Sequence, residues 1–147
     1  MRSFTDMQGR QWNMAITLDA IRRLKGTLGV DLFAMLEGDP PLLTKLATDI
    51  GLLCDIIFVI IKPQADASSV TDEQFGSSLG GESIKAALDS FYSELEDFFQ
   101  KMGRADLAKA VAAQRRVIDL AVAKVTTDIE RLNLEALVRD SGKLSMN

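Results

Sequence analysis

Large apolar side chains recur at three- and four-residue steps through the second half of the chain, and this periodicity predicts two long amphipathic helices. The first runs from about residue 82 to residue 102 and ends at Gly103. The second runs from Ala105 to about Leu137, and its apolar stripe has steps near 3.5 residues: Leu107, Val111, Ile118, Ala121, Val125, Ile129 and Leu132. Such a stripe suits either a coiled-coil seam or an antiparallel partner within the chain. A mainly α fold follows.

Shorter helices are predicted upstream from capping and stop signals. Thr17 or Asp19 begins a helix that Gly29 ends, and Thr71 opens a capping box with Gln74. Pro63 is expected to stop the helix that starts near residue 50, because proline lacks the amide N–H that a helix interior needs. The upstream helices and helical turns cover about 18–28, 31–35, 42–47, 50–61 and 71–79.

The N-terminal segment alternates between apolar and polar residues and predicts a β-hairpin over about residues 3–16. A lone hairpin is only marginally stable in water, so its apolar face packs on a helix or on the sheet edge of another chain. We therefore predict oligomer contacts at Trp12, Met14 and Ile16. The predicted fold is a bundle of about five or six helices with this hairpin, forming a single domain over 1–140 before a flexible tail over 141–147.

Catalytic machinery is poorly represented in the composition. The chain has no histidine, which removes the commonest general base and the commonest metal ligand, and Cys54 is the single cysteine. A Cys–His or Ser–His–Asp arrangement is therefore impossible. A phosphate-binding P-loop motif is also absent from the sequence. We predict a protein that is not an enzyme and binds no cofactor or metal.

Charge and hydropathy restrict the partners. The net charge of −4 argues against duplex nucleic acid, whose affinity depends on Lys and Arg at phosphates. The most apolar stretch, Ile50–Ile61, contains Asp55 and is shorter than the roughly 20 residues that a bilayer span needs. The first residues lack the apolar run of a signal peptide. We therefore predict a cytoplasmic protein that binds neither nucleic acid nor membrane.

Aromatic side chains give the chain more apolar surface than its core needs. They are concentrated on the helix over 82–102, and a further aromatic residue, Phe58, lies on the apolar helix over 50–61. Two interpretations remain open: these side chains pack on one another as core, or they line a groove that accepts an apolar helix of a partner. The candidate partner-binding residues are Phe58, Phe91, Tyr92, Leu95, Phe98 and Phe99.

A series of short motifs between residues 4 and 100 resembles phage and prophage tail assembly chaperones. The first are Phe4-Thr5-Asp6, Gly9-Arg10-Gln11-Trp12, Ile21-Arg22-Arg23-Leu24 and Gly29-Val30-Asp31-Leu32. The series continues with Leu53-Cys54-Asp55, Gln64-Ala65-Asp66, Thr71-Asp72-Glu73-Gln74-Phe75-Gly76, Gly81-Glu82-Ser83-Ile84, Ala86-Ala87-Leu88 and Glu94-Leu95-Glu96-Asp97-Phe98-Phe99.

The resemblance implies a non-catalytic protein of the host bacterial cytoplasm. Such chaperones hold the long, helix-rich tape measure protein soluble while the tail tube polymerises around it. The expected partners are therefore a tape measure protein and further copies of the chain. The alternative is a structural tail or head–tail connector subunit of the virion, which would remain in the finished particle at fixed stoichiometry.

Overall fold

The computed structural model describes the backbone of residues 2–145 and the side chains of residues 2–120, 124 and 127–138. Two antiparallel strands, β1 (Arg2–Thr5) and β2 (Gln11–Met14), precede the helices. The helices are α1 (Leu18–Leu28), a 3-10 helix (Leu32–Ala34), α2 (Leu42–Thr48), α3 (Ile50–Ala67), α4 (Asp72–Ser77), α5 (Glu82–Lys101) and α6 (Ala105–Ser145). The predicted mainly helical fold with an N-terminal hairpin is confirmed.

The chain divides into two compact units, Met1–Gln114 and Arg115–Asn147. The first contains the hairpin, α1 to α5 and the start of α6. The second consists of the continuation of α6. This helix extends beyond the predicted end near Leu137, so residues 141–145 of the predicted tail lie in α6 while residues 146–147 lie outside the described part of the chain.

Local capping sets several helix ends where the sequence predicted them. The Thr17 side chain accepts from the Ala20 amide at the start of α1, and Gly29 ends that helix with φ +68°, a left-handed conformation that glycine adopts without strain. Thr71 and Gln74 form the predicted capping box at α4. These signals involve neighbouring residues only, which is why the sequence reveals them.

Helix α3 continues past Pro63 to Ala67, so the prediction that Pro63 stops this helix is wrong. Proline has no N–H to donate to the carbonyl of Val59, four residues earlier. Arg23 of α1 compensates from outside the helix: its Nη2 donates to the carbonyl of Ile60 at 3.1 Å, and its Nε lies 3.4 Å from that of Val59. Arg23 is therefore half-buried against α3.

The hairpin packs on α3 and α5, and an aromatic cluster centred on Phe75 of α4 joins it to α3. The Phe75 ring centroid lies 6.3 Å from that of Phe4, 5.6 Å from that of Trp12 and 5.5 Å from that of Phe58. Phe75 is buried although α4 spans only six residues. This cluster joins the hairpin to the helices, so the marginal stability expected of a lone hairpin is relieved within the first unit.

Candidate protein-binding surfaces

The turn of the hairpin is a closed hydrogen-bonded cluster around the buried carboxylate of Asp6. This carboxylate accepts from Arg10 Nε at 2.8 Å, from Trp12 Nε1 at 2.9 Å and from the amides of Gln8 and Arg10. Burial raises the pKa of Asp6, but these hydrogen bonds together outweigh it, so the pKa lies below its usual value. Arg10 also donates to Ser78, which ties the turn to the end of α4. The cluster has a structural role.

Side chains of the neighbouring helices hydrogen-bond the backbone of one residue on each edge of the hairpin. Gln64 of α3 pairs with β2 much as another strand would: its Oε1 accepts from the Asn13 amide at 2.8 Å and its Nε2 donates to the Asn13 carbonyl at 2.7 Å. On β1, the Ser90 hydroxyl donates to the Ser3 carbonyl at 3.3 Å. Covered backbone groups are unavailable to a strand from another chain.

The predicted oligomer contacts at Trp12, Met14 and Ile16 are all buried within the first unit. Their apolar face already contacts the helices, so it presents no surface to another copy. The sequence showed correctly that this face must be covered, but it could not show that α3, α4 and α5 cover it. This face of the hairpin therefore offers no self-association surface.

Most of the predicted partner-binding residues also lie in the core. Phe91, Tyr92, Leu95 and Phe99 are buried, so they do not line an open groove. Phe98 is half-buried against other rings: its centroid lies 5.8 Å from those of Phe33 and Phe99. The apolar face of α5 therefore serves as core, the first of the two interpretations that the sequence left open.

Burial raises the pKa of Tyr92 to about 12, and among the described residues its hydroxyl has no hydrogen-bond partner.

Phe58, the remaining predicted partner-binding residue, lies at an open cleft of about 830 Å³ between α1, α3 and the loop before α4. The half-buried ring of Phe58 faces the cleft, with Lys62 Nζ 5.6 Å from its centroid. The lining also includes Arg23, Lys62, Asp55, Asp66 and Asp72. The lining combines apolar side chains with charges of both signs, so the cleft is a mixed surface rather than an apolar groove.

The most exposed apolar surface of the described residues lies on α6 beyond residue 114. Leu107 and Val111 are buried in the first unit, whereas seven large apolar side chains between residues 117 and 138 are more than half exposed: Val117, Leu120, Ile129, Leu132, Leu134, Leu137 and Val138. Exposed apolar area of this extent marks an interaction surface in soluble proteins. The predicted aromatic face of α5 is largely buried, so the exposed apolar side chains of α6 are the better candidates for a binding surface.

Two stripes on opposite sides of α6 account for most of these side chains. The first, which we name the seam, contains Ile118, Ile129 and Leu132 and continues the predicted stripe through sequence positions 121 and 125. The second, which we name the outer stripe, contains Leu120, Leu134 and Val138. At about 100° per residue, Ile129 and Val138 lie about 180° apart around the helix. The outer stripe does not stand out in the sequence because Lys124, Thr127 and Arg131 lie on the same side of the helix and interrupt its apolar periodicity.

Groups suited to chemistry are sparse in the described part of the chain. Burial, with a smaller contribution from Asp55, raises the pKa of the Cys54 thiol, which favours its protonated form. Among the residues described, there is no group of three or more acidic, cysteine or histidine side chains placed to hold a metal ion. Within the same residues, no helix combines the length and apolarity needed to cross a bilayer. The exposed face of α6 is the clearest candidate site.

Comparison with known proteins returned no matching family, no matching curated protein and no matching solved structure.

Proposed function

We propose that this chain is a non-catalytic binding protein that covers an apolar helix of a partner with the outer stripe of α6. Its specific form would be a phage or prophage tail assembly chaperone whose partner is the tape measure protein. The observation that carries the proposal is the exposure of Leu120, Leu134 and Val138 on one side of α6. Leu134 and Val138 are one turn apart and Leu120 lies about four turns before Leu134, so all three can contact one helix laid along that side.

The chemistry of the partner follows from that of the stripe. The outer stripe presents leucine and valine on the same side of α6 as Lys124, Thr127 and Arg131, so its complement is the apolar row of an amphipathic helix that also carries polar side chains. A long helical protein that has not yet assembled exposes many such rows, and each is a site of wrong association. The net charge of −4 favours the solubility of the resulting complex.

The motifs that resemble tail assembly chaperones support the assignment independently of α6, because they lie between residues 4 and 100. Several have clear structural roles: Asp6, Arg10 and Trp12 form the turn cluster, and Thr71 and Gln74 form the capping box. The resemblance thus bears on how the first unit folds, whereas the exposed surface of α6 bears on what the chain binds.

The test is co-expression with a tape measure protein from a tail gene cluster, followed by affinity purification. Replacing Leu120 and Leu134 with Glu places two charges in the outer stripe and should lower the recovery of the partner at least tenfold. A matched control is Leu36→Glu, since Leu36 is also exposed but lies outside α6. Equal recovery with all three proteins would refute the proposed binding surface.

A second measurement addresses the role in assembly. Mass spectrometry of purified virions should find no stoichiometric copy of the chain, because a chaperone leaves the finished tail. Its presence at a fixed ratio to tail proteins would instead identify the structural subunit considered above and would contradict the chaperone assignment.

A further inference from the structure

The seam of α6 has a spacing that reads the same in both directions. From Gln114 onward its positions are 114, 118, 121, 125, 129, 132 and 136, so the steps are four, three, four, four, three and four residues. The pattern is symmetric about position 125. Within the described side chains of the seam, Ile129 and Leu132 are more than half exposed. The row begins at the polar Gln114, and Gln114 and Ile118 are half-buried. Because its spacing is symmetric, the row is complementary to a reversed copy of itself.

The charge along this part of α6, counted over all sides of the helix, is antisymmetric about the same position. Residues 115–124 carry three basic side chains and one acidic side chain, whereas residues 126–135 carry one basic and three acidic. An antiparallel pair centred on position 125 sets the basic half of each helix beside the acidic half of the other. A parallel pair in register would set like charges together, which is unfavourable.

The net charge of this segment also favours contact between copies. Residues 115–147 hold six basic and five acidic side chains, while residues 1–114 hold eleven and sixteen. The acidic character of the protein therefore belongs to the first unit. Two copies that approach through the second unit meet little net repulsion over the contact itself.

We propose that two copies of this chain pair through the seam as an antiparallel two-helix coiled coil centred on position 125. Ile118 of one copy then opposes Leu132 of the second. From Gln114 to Ala136 the contact is about 33 Å long at 1.5 Å per residue. The outer stripe lies on the far side of each helix, so a pair keeps two partner-binding stripes open.

Cysteine cross-linking tests the direction and register of the pair. Ile118→Cys and Leu132→Cys are made separately in a Cys54→Ser background, mixed, and oxidised under mild conditions. We expect a disulfide-linked dimer in the mixture and little linkage in either variant alone, because only the antiparallel pair brings these two positions together. Linkage of each variant to itself would show a parallel pair and overturn the proposal, as would the absence of any linkage.

Sedimentation equilibrium tests the surface itself on the full chain. The wild-type protein should sediment at twice its chain mass of 16.1 kDa, and the combined change Ile118→Glu and Leu132→Glu should raise the dimer dissociation constant at least a hundredfold. Leu120→Glu with Leu134→Glu is the matched control and should remain dimeric. Fluorescence of the buried Trp12 reports that the first unit stays folded in each variant.

The same variants separate this proposal from the proposed function. Loss of dimer with the seam variant, together with loss of partner recovery only with the outer-stripe variant, supports both proposals. A wild-type monomer, or a dimer that survives the seam variant, overturns the pairing whatever the partner assay shows.

Discussion

Arg23 contacts the backbone of α3 beside Pro63. We therefore predict that the loss of stability caused by replacing Arg23 depends on which residue stands at position 63. Pro63 leaves the carbonyl of Val59 without its helical donor, and Arg23 donates to the carbonyls of Val59 and Ile60. Replacing Pro63 with Ala restores the missing N–H. Arg23 should therefore matter less to stability when residue 63 is alanine.

The magnitude follows from the geometry. A hydrogen bond from a charged donor contributes about 1.5–3 kcal/mol, and the partial exposure of Arg23 together with the 3.4 Å distance to Val59 places this pair near the lower end. We expect Arg23→Ala to lower the free energy of unfolding by about 2 kcal/mol in the wild type and by about 1 kcal/mol beside Pro63→Ala. Because Pro63 is exposed, its replacement removes little packing.

Urea denaturation followed by Trp12 fluorescence measures the four proteins of this cycle. Asp19→Asn is the control, since it removes only the exposed ion pair between Asp19 and Arg23 and should cost at most about 0.5 kcal/mol. A coupling free energy of about 1 kcal/mol between positions 23 and 63 is expected. Equal costs of Arg23→Ala in both backgrounds would refute the reasoning.

Three further substitutions have defined outcomes. Asp6→Asn should destabilise the protein by about 2–4 kcal/mol near neutral pH, because it removes a buried carboxylate from its donors. The folded-state pKa of Asp6 lies below its unfolded value, so its contribution to stability is present above pH ~4 and is lost as the pH falls. The difference in the free energy of unfolding between the wild type and Asp6→Asn, followed by acid titration, should therefore shrink below pH ~4. Tyr92→Phe should stabilise by about 1 kcal/mol in thermal unfolding, since it removes a buried hydroxyl for which the described structure shows no partner. Gln64→Ala should speed hydrogen exchange of the Asn13 amide about fivefold, which corresponds to about 1 kcal/mol of lost edge pairing.

Features set by neighbouring residues could be predicted from the sequence. Gly29 and the capping box at Thr71 mark helix boundaries because each cap bonds within its own turn. The continuation of α3 past Pro63 could not be predicted in this way, because the compensating donor comes from Arg23, distant in the sequence. Local rules cannot reveal a donor supplied by tertiary packing.

The candidate site was harder to predict than the fold. Periodicity identified the apolar face of α5 but could not show what covers it, and Phe91 and Phe99 are buried in the core. The same limitation applies to Trp12 in the hairpin. In α6 the periodicity predicts a stripe, and the structure adds that Ile129 and Leu132 in this stripe are exposed. Burial, rather than pattern, separates core from binding surface.

Hydroxyl-radical footprinting of the full chain, alone and with its partner, tests most directly whether the two faces of α6 are docking surfaces. In the chain alone, Leu132 should be protected by the second copy while Leu120 and Leu134 are labelled. Adding the partner should then protect Leu120 and Leu134. Equal labelling of all three leucines, unchanged by the partner, would contradict the account.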